Sequence, residues 1–117
     1  MINQPTPDVT DEDVNRVVTR DFAEDDNTIV SALLKEYGAE SWHQEPTRVR
    51  LAALKLADGD VGRLTAELEN AKNDYRDILG SAEYPSYMDH YDKDVTDFEK
   101  QQIIESDWRQ YQTWLNK

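Results

Sequence analysis

The segment from Asp60 to Ala82 carries the most regular helical pattern in the chain. Apolar or aromatic side chains recur there at alternating steps of three and four, at Val61, Leu64, Leu68, Ala71, Tyr75, Ile78 and Ala82. This spacing places all of them on one stripe of a helix and leaves the polar side chains on the other faces. We therefore expect a long central helix near residues 61–82 in an all-α domain, with its apolar stripe covered by neighbouring helices.

The length and composition of the chain favour one folded domain. It has 117 residues, of which 38% are hydrophobic and 32% are charged. A domain of roughly 100–150 residues buries about two thirds of the surface that its unfolded chain exposes. We expect a single helical domain over residues 1–117, with residues 1–8 as a flexible N-terminal arm.

Two helices are predicted in the first third of the chain. Thr10 is a preferred N-cap residue, and the acidic residues that follow it favour the positive end of a helix. Gly38 can end the second helix in a left-handed conformation. The buried stripes are expected to comprise Val14, Val17, Val18 and Phe22 in the first helix and Ile29, Val30, Leu33, Leu34 and Tyr37 in the second.

Three more helices complete the predicted fold. Pro46 suits the first position of a helix, and the apolar residues after it cover more than one face, which is typical of the middle of a bundle. Gly59 predicts a turn before the 61–82 helix. Thr96 and Glu99 have the spacing of a capping box and begin the last helix, whose stripe comprises Phe98, Ile104, Trp108, Tyr111 and Leu115. These signals predict an antiparallel bundle of about five helices, with the last helix packed along the 61–82 helix.

Acidic residues dominate the charge of the chain. There are 25 Asp and Glu against 13 Lys and Arg, which gives a formal net charge of -12. Such a charge repels phosphate backbones and anionic lipid headgroups, so we expect direct binding neither to nucleic acid nor to a membrane. Cysteine is absent, and neither a secretory signal nor an apolar run of the ~20 residues that span a bilayer is found. We expect a cytoplasmic protein.

The sequence shows no catalytic, cofactor or metal signature. The strongest metal candidate is the acidic stretch 89–97, but an EF-hand loop there would have Asp97 in place of the required glycine and Ile103 in place of the closing glutamate. His43 and His90 are the only histidines and lack the spacing of a metal-ligand pair. We expect no catalytic residue, no cofactor and no metal, and a weak ion site in 89–97 stays an open question.

Aromatic residues are concentrated in the final third, in the connection over residues 83–94 and in the last helix. Tyrosine and tryptophan dominate the few residues that hold protein interfaces together, because each combines a large apolar surface with one polar group. Arg76 could pair with an acidic side chain of the last helix or of a partner, or form a cleft with Trp108. The residues predicted to form an interaction surface are Tyr84, Tyr87, Tyr91, Trp114 and Arg76, with Trp114 expected to be the exposed tryptophan.

Four short segments of the sequence can be compared with known proteins: residues 48–56 (RVRLAALKL), 74–79 (DYRDIL), 82–85 (AEYP) and 107–111 (DWRQY). Together they resemble a family of uncharacterised small bacterial helical proteins that has no known activity. The resemblance covers most of the chain, implies a helical fold and carries over no known activity. It directs attention to Tyr75, Arg76, Asp77, Glu83 and Tyr84.

The sequence favours a non-catalytic protein-interaction module with an unknown protein partner and an unknown oligomeric state. One alternative is a small metal-dependent hydrolase that uses Asp and Glu, which requires carboxylates from several helices to meet at one concave site. Another is an acidic mimic of nucleic acid, which the net charge alone suggests.

Overall fold

The computed structural model describes residues 3–90 and 94–117. Within these ranges the regular structure is entirely helical. The helices are α1 (Asp11–Asp21), α2 (Asn27–Glu36), α3 (Pro46–Ala57), α4 (Val61–Asn73), α5 (Tyr75–Glu83), α6 (Pro85–His90) and α7 (Asp97–Leu115), and a 3₁₀ turn over Glu24–Asp26 precedes α2. The prediction of an all-α fold is confirmed.

Helix α3 lies at the centre of the molecule. It packs against α1, α4 and α5, and Leu51, Ala52, Ala53 and Leu54 are each fully buried. Four consecutive buried residues point to every side of a helix, so α3 must be surrounded. Its apolar pattern and its Pro46 start were predicted correctly, but the central position had been assigned to the 61–82 segment.

The prediction of one long helix over 61–82 is wrong, because the helix is interrupted at Asp74. The backbone of Asp74 is extended (φ -154°, ψ 96°), and its carboxylate accepts a hydrogen bond from the Arg76 N–H at 3.1 Å. Aspartate is a strong N-cap residue, so it begins α5 directly after α4 ends. The predicted stripe is still buried on both sides of the break, at Leu64 and Leu68 in α4 and at Ile78 in α5.

The connection predicted over residues 83–94 contains the short helix α6. Pro85 is its first residue, and the side chain of Asp107 in α7 accepts hydrogen bonds from the N–H groups of Ser86 (3.3 Å) and Tyr87 (2.8 Å). These donors have no partner within a helix, so a carboxylate at this end stabilises it. A short helix that depends on a residue twenty positions away is not visible in local sequence pattern.

Most predicted helix ends are confirmed. Thr10 and Asp13 form a capping box at the start of α1, and the side chain of Thr96 accepts a hydrogen bond from the Glu99 N–H at 3.1 Å. Gly38 and Gly59 have φ angles of 110° and 82°, which glycine adopts without strain. The stripe predicted for the last helix is wrong at its first position, since Phe98 is 72% exposed.

Side chains from other helices also hold several helix ends. Arg16 and Arg20 of α1 donate to the carbonyls of Leu115 (2.6 Å) and Trp114 (2.7 Å) at the end of α7. Arg50 of α3 donates to the carbonyl of Leu34 (2.9 Å) near the end of α2. Cations suit the negative end of a helix and satisfy carbonyls that lack an intrahelical partner.

Candidate interaction site around Trp42

The described residues of the predicted interaction surface differ in their exposure and in their contacts. Tyr84 is only 2% exposed, and its hydroxyl donates a hydrogen bond to the carbonyl of Pro5, so the expectation that it lies on the surface is wrong. Burial raises the pKa of Tyr84 to about 12. Tyr87 is half-buried on α6, and Tyr91 lies outside the described residues.

Trp114 is not the exposed tryptophan of the chain. It is partly buried against the core, its ring centroid is 5.5 Å from that of Tyr111, and the guanidinium of Arg20 lies 5.2 Å above its ring. A cation over an indole face is stabilising and covers the ring. The physical reason for the wrong prediction is therefore a contact with α1, which the pattern of α7 alone does not reveal.

The exposed tryptophan is Trp42, which is 58% exposed in the connection between α2 and α3. Its ring makes an edge contact with His43, with centroids 4.2 Å apart and an interplanar angle of 72°. His43 in turn stacks on Tyr37, with centroids 4.7 Å apart and an angle of 10°. An indole that is open to solvent is thus supported by a buried aromatic pair.

Hydrogen bonds fix the position of that pair. The Nδ1 atom of His43 accepts a hydrogen bond from the Gly38 N–H at 2.8 Å, and the hydroxyl of Tyr37 donates to the Gln44 carbonyl at 2.7 Å. Because Nδ1 accepts, the neutral ring carries its proton on Nε2, which is buried and has no partner among the described residues. The backbone on both sides of Trp42 is therefore held by side chains of the same connection.

Trp42 borders an open pocket of about 390 Å³. One wall comes from residues 37–44 and the other from the junction of α4 and α5, including Lys72, Tyr75 and Arg76. We call this the Trp42 pocket. Arg76 therefore faces Trp42, not Trp108, which contradicts the cleft considered from sequence.

The charges that line this pocket are paired. Arg76 bonds Asp74 with Nε and Oδ1 3.2 Å apart, and the Nζ of Lys72 lies 3.1 Å from Glu69. The hydrogen bond between the side chains of Arg76 and Asp74 raises the pKa of Arg76 and lowers that of Asp74. Both cations are solvent-accessible, so they can exchange these partners for groups on a ligand.

The two buried carboxylates among the described residues are each hydrogen-bonded to another helix. Glu83 is 2% exposed and makes two hydrogen bonds with Arg48, from Nη2 at 2.7 Å and from Nε at 3.1 Å. Burial raises the pKa of Glu83, and the hydrogen bonds from Arg48 lower it only in part. Burial alone would lower the pKa of Arg48, but the bonds to Glu83 raise it. The other buried carboxylate, Asp107, holds the start of α6.

Carboxylates and histidines do not converge in the part of the chain that the structure describes, where no group of three or more could hold a metal ion. His90 bonds the Ser86 carbonyl through Nδ1 at 2.8 Å. The acidic stretch 89–97 falls partly on residues outside the described ranges, which is also where Asp92 lies. None of the helices in the described ranges is long and apolar enough to cross a membrane.

The exposed position of Trp42 and the burial of His43 are not predictable from sequence periodicity, because the two residues fall in a connection between helices. The available signal was an aromatic pair between Gly38, which ends α2, and Pro46, which starts α3. No family model, curated protein or solved structure matches this chain.

Proposed function

We propose that this protein is a non-catalytic interaction module that binds another protein through Trp42 and the pocket beside it. The observation that carries the proposal is that Trp42 is 58% exposed while its neighbour His43 is buried and bonded to the backbone. More than half of this large aromatic residue is therefore left at the surface, beside a neighbour that is held in place, and that exposed area contributes nothing to folding by burial.

The energetics of interfaces support this assignment. Tryptophan is enriched among the few residues that carry most of the binding free energy of an interface. Ordering a mobile side chain on binding costs about 0.5–1.5 kcal/mol. A side chain that is already ordered before binding avoids most of this cost. The supporting contacts of Trp42 with His43 therefore favour affinity as well as exposure.

The charge of the molecule defines the kind of partner. With a formal charge of -12, the protein attracts a basic partner over long range and repels acidic ones. Inside the Trp42 pocket, Lys72 and Arg76 can bond carbonyl or carboxylate oxygens of the partner. We therefore propose a basic protein that inserts a mixed apolar and polar segment beside the indole.

Affinity capture from extracts of the source organism tests the proposal. Trp42→Ala should lose a protein that the wild type captures in stoichiometric amount, because it removes the central apolar contact. Phe98→Ala is the matched control, since it removes another exposed aromatic side chain, which lies far along the chain on α7. Equal capture by wild type and Trp42→Ala, or equal loss in both variants, would contradict a role for Trp42.

The hydrolase and the nucleic-acid mimic predict different outcomes. Stabilisation by Mg²⁺, Mn²⁺ or Zn²⁺ in a thermal-unfolding experiment would favour the hydrolase, because a metal that binds only the folded state raises its stability. Displacement of DNA from a basic protein, with Trp42→Ala as effective as wild type, would favour the mimic, since charge alone would then be sufficient.

A further inference from the structure

The N-terminal arm, residues 3–8, lies against α7. The backbone of the arm makes hydrogen bonds with a side chain of that helix. The N–H of Asn3 donates to Oε1 of Gln101 at 2.7 Å, and Nε2 of Gln101 donates to the carbonyl of Asn3 at 3.0 Å. Two residues later, the Tyr84 hydroxyl donates to the carbonyl of Pro5. Pro7 is buried. Whether the arm is flexible, as predicted for residues 1–8, stays a prediction.

These three hydrogen bonds contact backbone groups of the arm and none of its side chains. The prolines at positions 5 and 7 favour an extended backbone for the residues that precede them. A side-chain amide that bonds both the N–H and the C=O of one residue imitates the pairing of a neighbouring strand. The hydroxyl of Tyr84 then selects a carbonyl at a fixed distance along the segment. Any other segment with the same backbone conformation can satisfy the same three groups.

The arm leaves an open groove of about 290 Å³ beside it, which we call the α7 groove. Pro5 borders it on the arm side, and on α7 it is bordered by Trp108, which is partly exposed, and by Ile104, which is fully buried. Proline-containing segments dock in aromatic-lined grooves because their extended conformation is already restricted before binding. The sequence of the arm, Asn-Gln-Pro-Thr-Pro over residues 3–7, is such a segment.

We propose that the face of α7 under the arm, together with the adjoining α7 groove, is a binding site for an extended, proline-containing segment of another protein, and that residues 3–7 cover this face in the same chain until that segment replaces them. The occupant is indicated by the arm itself, which is seated through backbone bonds and one proline. The negative charge of the molecule further favours a segment with basic neighbours. This site is separate from the Trp42 pocket, so it goes beyond the proposed function.

Asn3→Pro provides a test, because the same change should strengthen peptide binding when it is made in the protein and weaken it when it is made in the peptide. Proline has no N–H, so this change removes one hydrogen bond of the arm, a loss of ~1 kcal/mol or about fivefold, and leaves every residue of α7 in place. A capped synthetic peptide with the sequence of residues 3–9 should therefore bind the Asn3→Pro chain about fivefold more tightly than wild type. The peptide carrying the same change should bind that chain about fivefold more weakly than the unchanged peptide.

Titration of the ¹⁵N-labelled protein by NMR is the measurement, with the indole signal of Trp108 and the side-chain amide signal of Gln101 as the readout. In the Asn3→Pro background, Gln101→Ala should weaken peptide binding. The unchanged peptide makes two hydrogen bonds with Gln101 and loses both, whereas the arm of this variant makes only one with Gln101 and loses only that one. Gln102→Ala, a change at the next and exposed position, is the matched control and should leave binding unchanged.

Three results would overturn the proposal. One is the absence of any shift of the Trp108 signal at millimolar peptide in the Asn3→Pro chain. A second is equal affinity for a peptide of scrambled sequence. The third is a dimer of the wild-type chain that the peptide dissociates, because the groove would then belong to the arm of a second copy.

Discussion

At the scale of single residues, His43 is the side chain on which the geometry of Trp42 depends. It is buried, stacks on Tyr37 and bonds the backbone N–H of Gly38. Removing its ring leaves that N–H without its acceptor and the indole without its support. Gly38 is itself exposed, so the lost hydrogen bond costs about 0.5–1.5 kcal/mol, and the space left by the buried His43 ring adds to this cost.

His43→Ala should therefore lower the free energy of unfolding by about 1–3 kcal/mol and weaken capture of the partner although Trp42 is still present. Urea unfolding gives the first quantity, and the capture assay gives the second. His90→Ala, at a half-buried histidine of α6, is the control and should leave capture unchanged. Full capture by a folded His43→Ala protein would show that Trp42 does not need this support.

The raised pKa of Glu83 should make the free energy of unfolding depend on pH. Burial raises its pKa above the ordinary value of 4.5, so the folded protein binds this proton more tightly than the unfolded chain does. The stability that Glu83 contributes is therefore complete below pH 4.5 and is lost as the pH rises through the raised pKa.

Glu83→Gln removes this contribution. Between about pH 4 and 7, the free energy of unfolding of the variant should change with pH along a more positive slope than that of wild type. Urea titrations at several pH values measure both slopes. Parallel curves would mean that the Glu83 carboxyl has the same pKa in the folded and unfolded states.

At the scale of helices, the break at Asp74 decides how the second half of the chain is arranged. Helices α4 and α5 both pack against α3, and a straight helix over 61–82 could not follow α3 in the same way. Asp74 makes the break possible because its carboxylate caps α5. The sign of a single substitution distinguishes the two structures.

Asp74→Ala should destabilise the protein by ~1 kcal/mol, the usual cost of a lost N-cap. In an uninterrupted helix the same change would be stabilising, because alanine has the higher helix propensity. Chemical denaturation measures the difference. An increase in stability would contradict the break.

The helix ends that were predicted correctly are those set by local chemistry. Thr10, Pro46 and Gly59 act on backbone groups within a few positions, so a short window of sequence contains the whole cause. The break at Asp74 was missed because the periodic spacing of apolar residues continues through it. This spacing is the same for one helix and for two consecutive helices that face the same core.

Contacts between distant elements were outside the reach of local pattern. Arg48 and Glu83 are 35 positions apart, and nothing in their neighbourhoods says that they meet. The same holds for Arg20, whose guanidinium covers Trp114. Candidate sites depend on such contacts, which is why Tyr84 and Trp114 were assigned to the surface and Trp42 was left out.

At the scale of the whole molecule, net charge opposes the compact state. The six ion pairs among the described residues are few beside a formal charge of -12. Repulsion among exposed carboxylates is weakened by salt, whose screening length falls from about 30 Å at 0.01 M to about 8 Å at 0.15 M. Screening therefore relieves more repulsion than attraction here.

Added NaCl should thus raise the free energy of unfolding and weaken binding to the basic partner. Urea unfolding, which adds no ions, measures the first effect between about 0.01 and 0.15 M salt. Binding titrations measure the second. A protein that loses stability over this range would indicate that ion pairs dominate its electrostatics.

The claim that Trp42 is held rigid at the surface is the one on which the proposed function depends. Nuclear relaxation of the indole ¹⁵N–H group of Trp42, compared with those of Trp108 and Trp114, measures this rigidity without knowledge of the partner. We expect an order parameter of about 0.85 for Trp42, as in rigid backbone, and a lower value in His43→Ala. A value below about 0.6 in the wild type would show a mobile side chain and contradict the proposal.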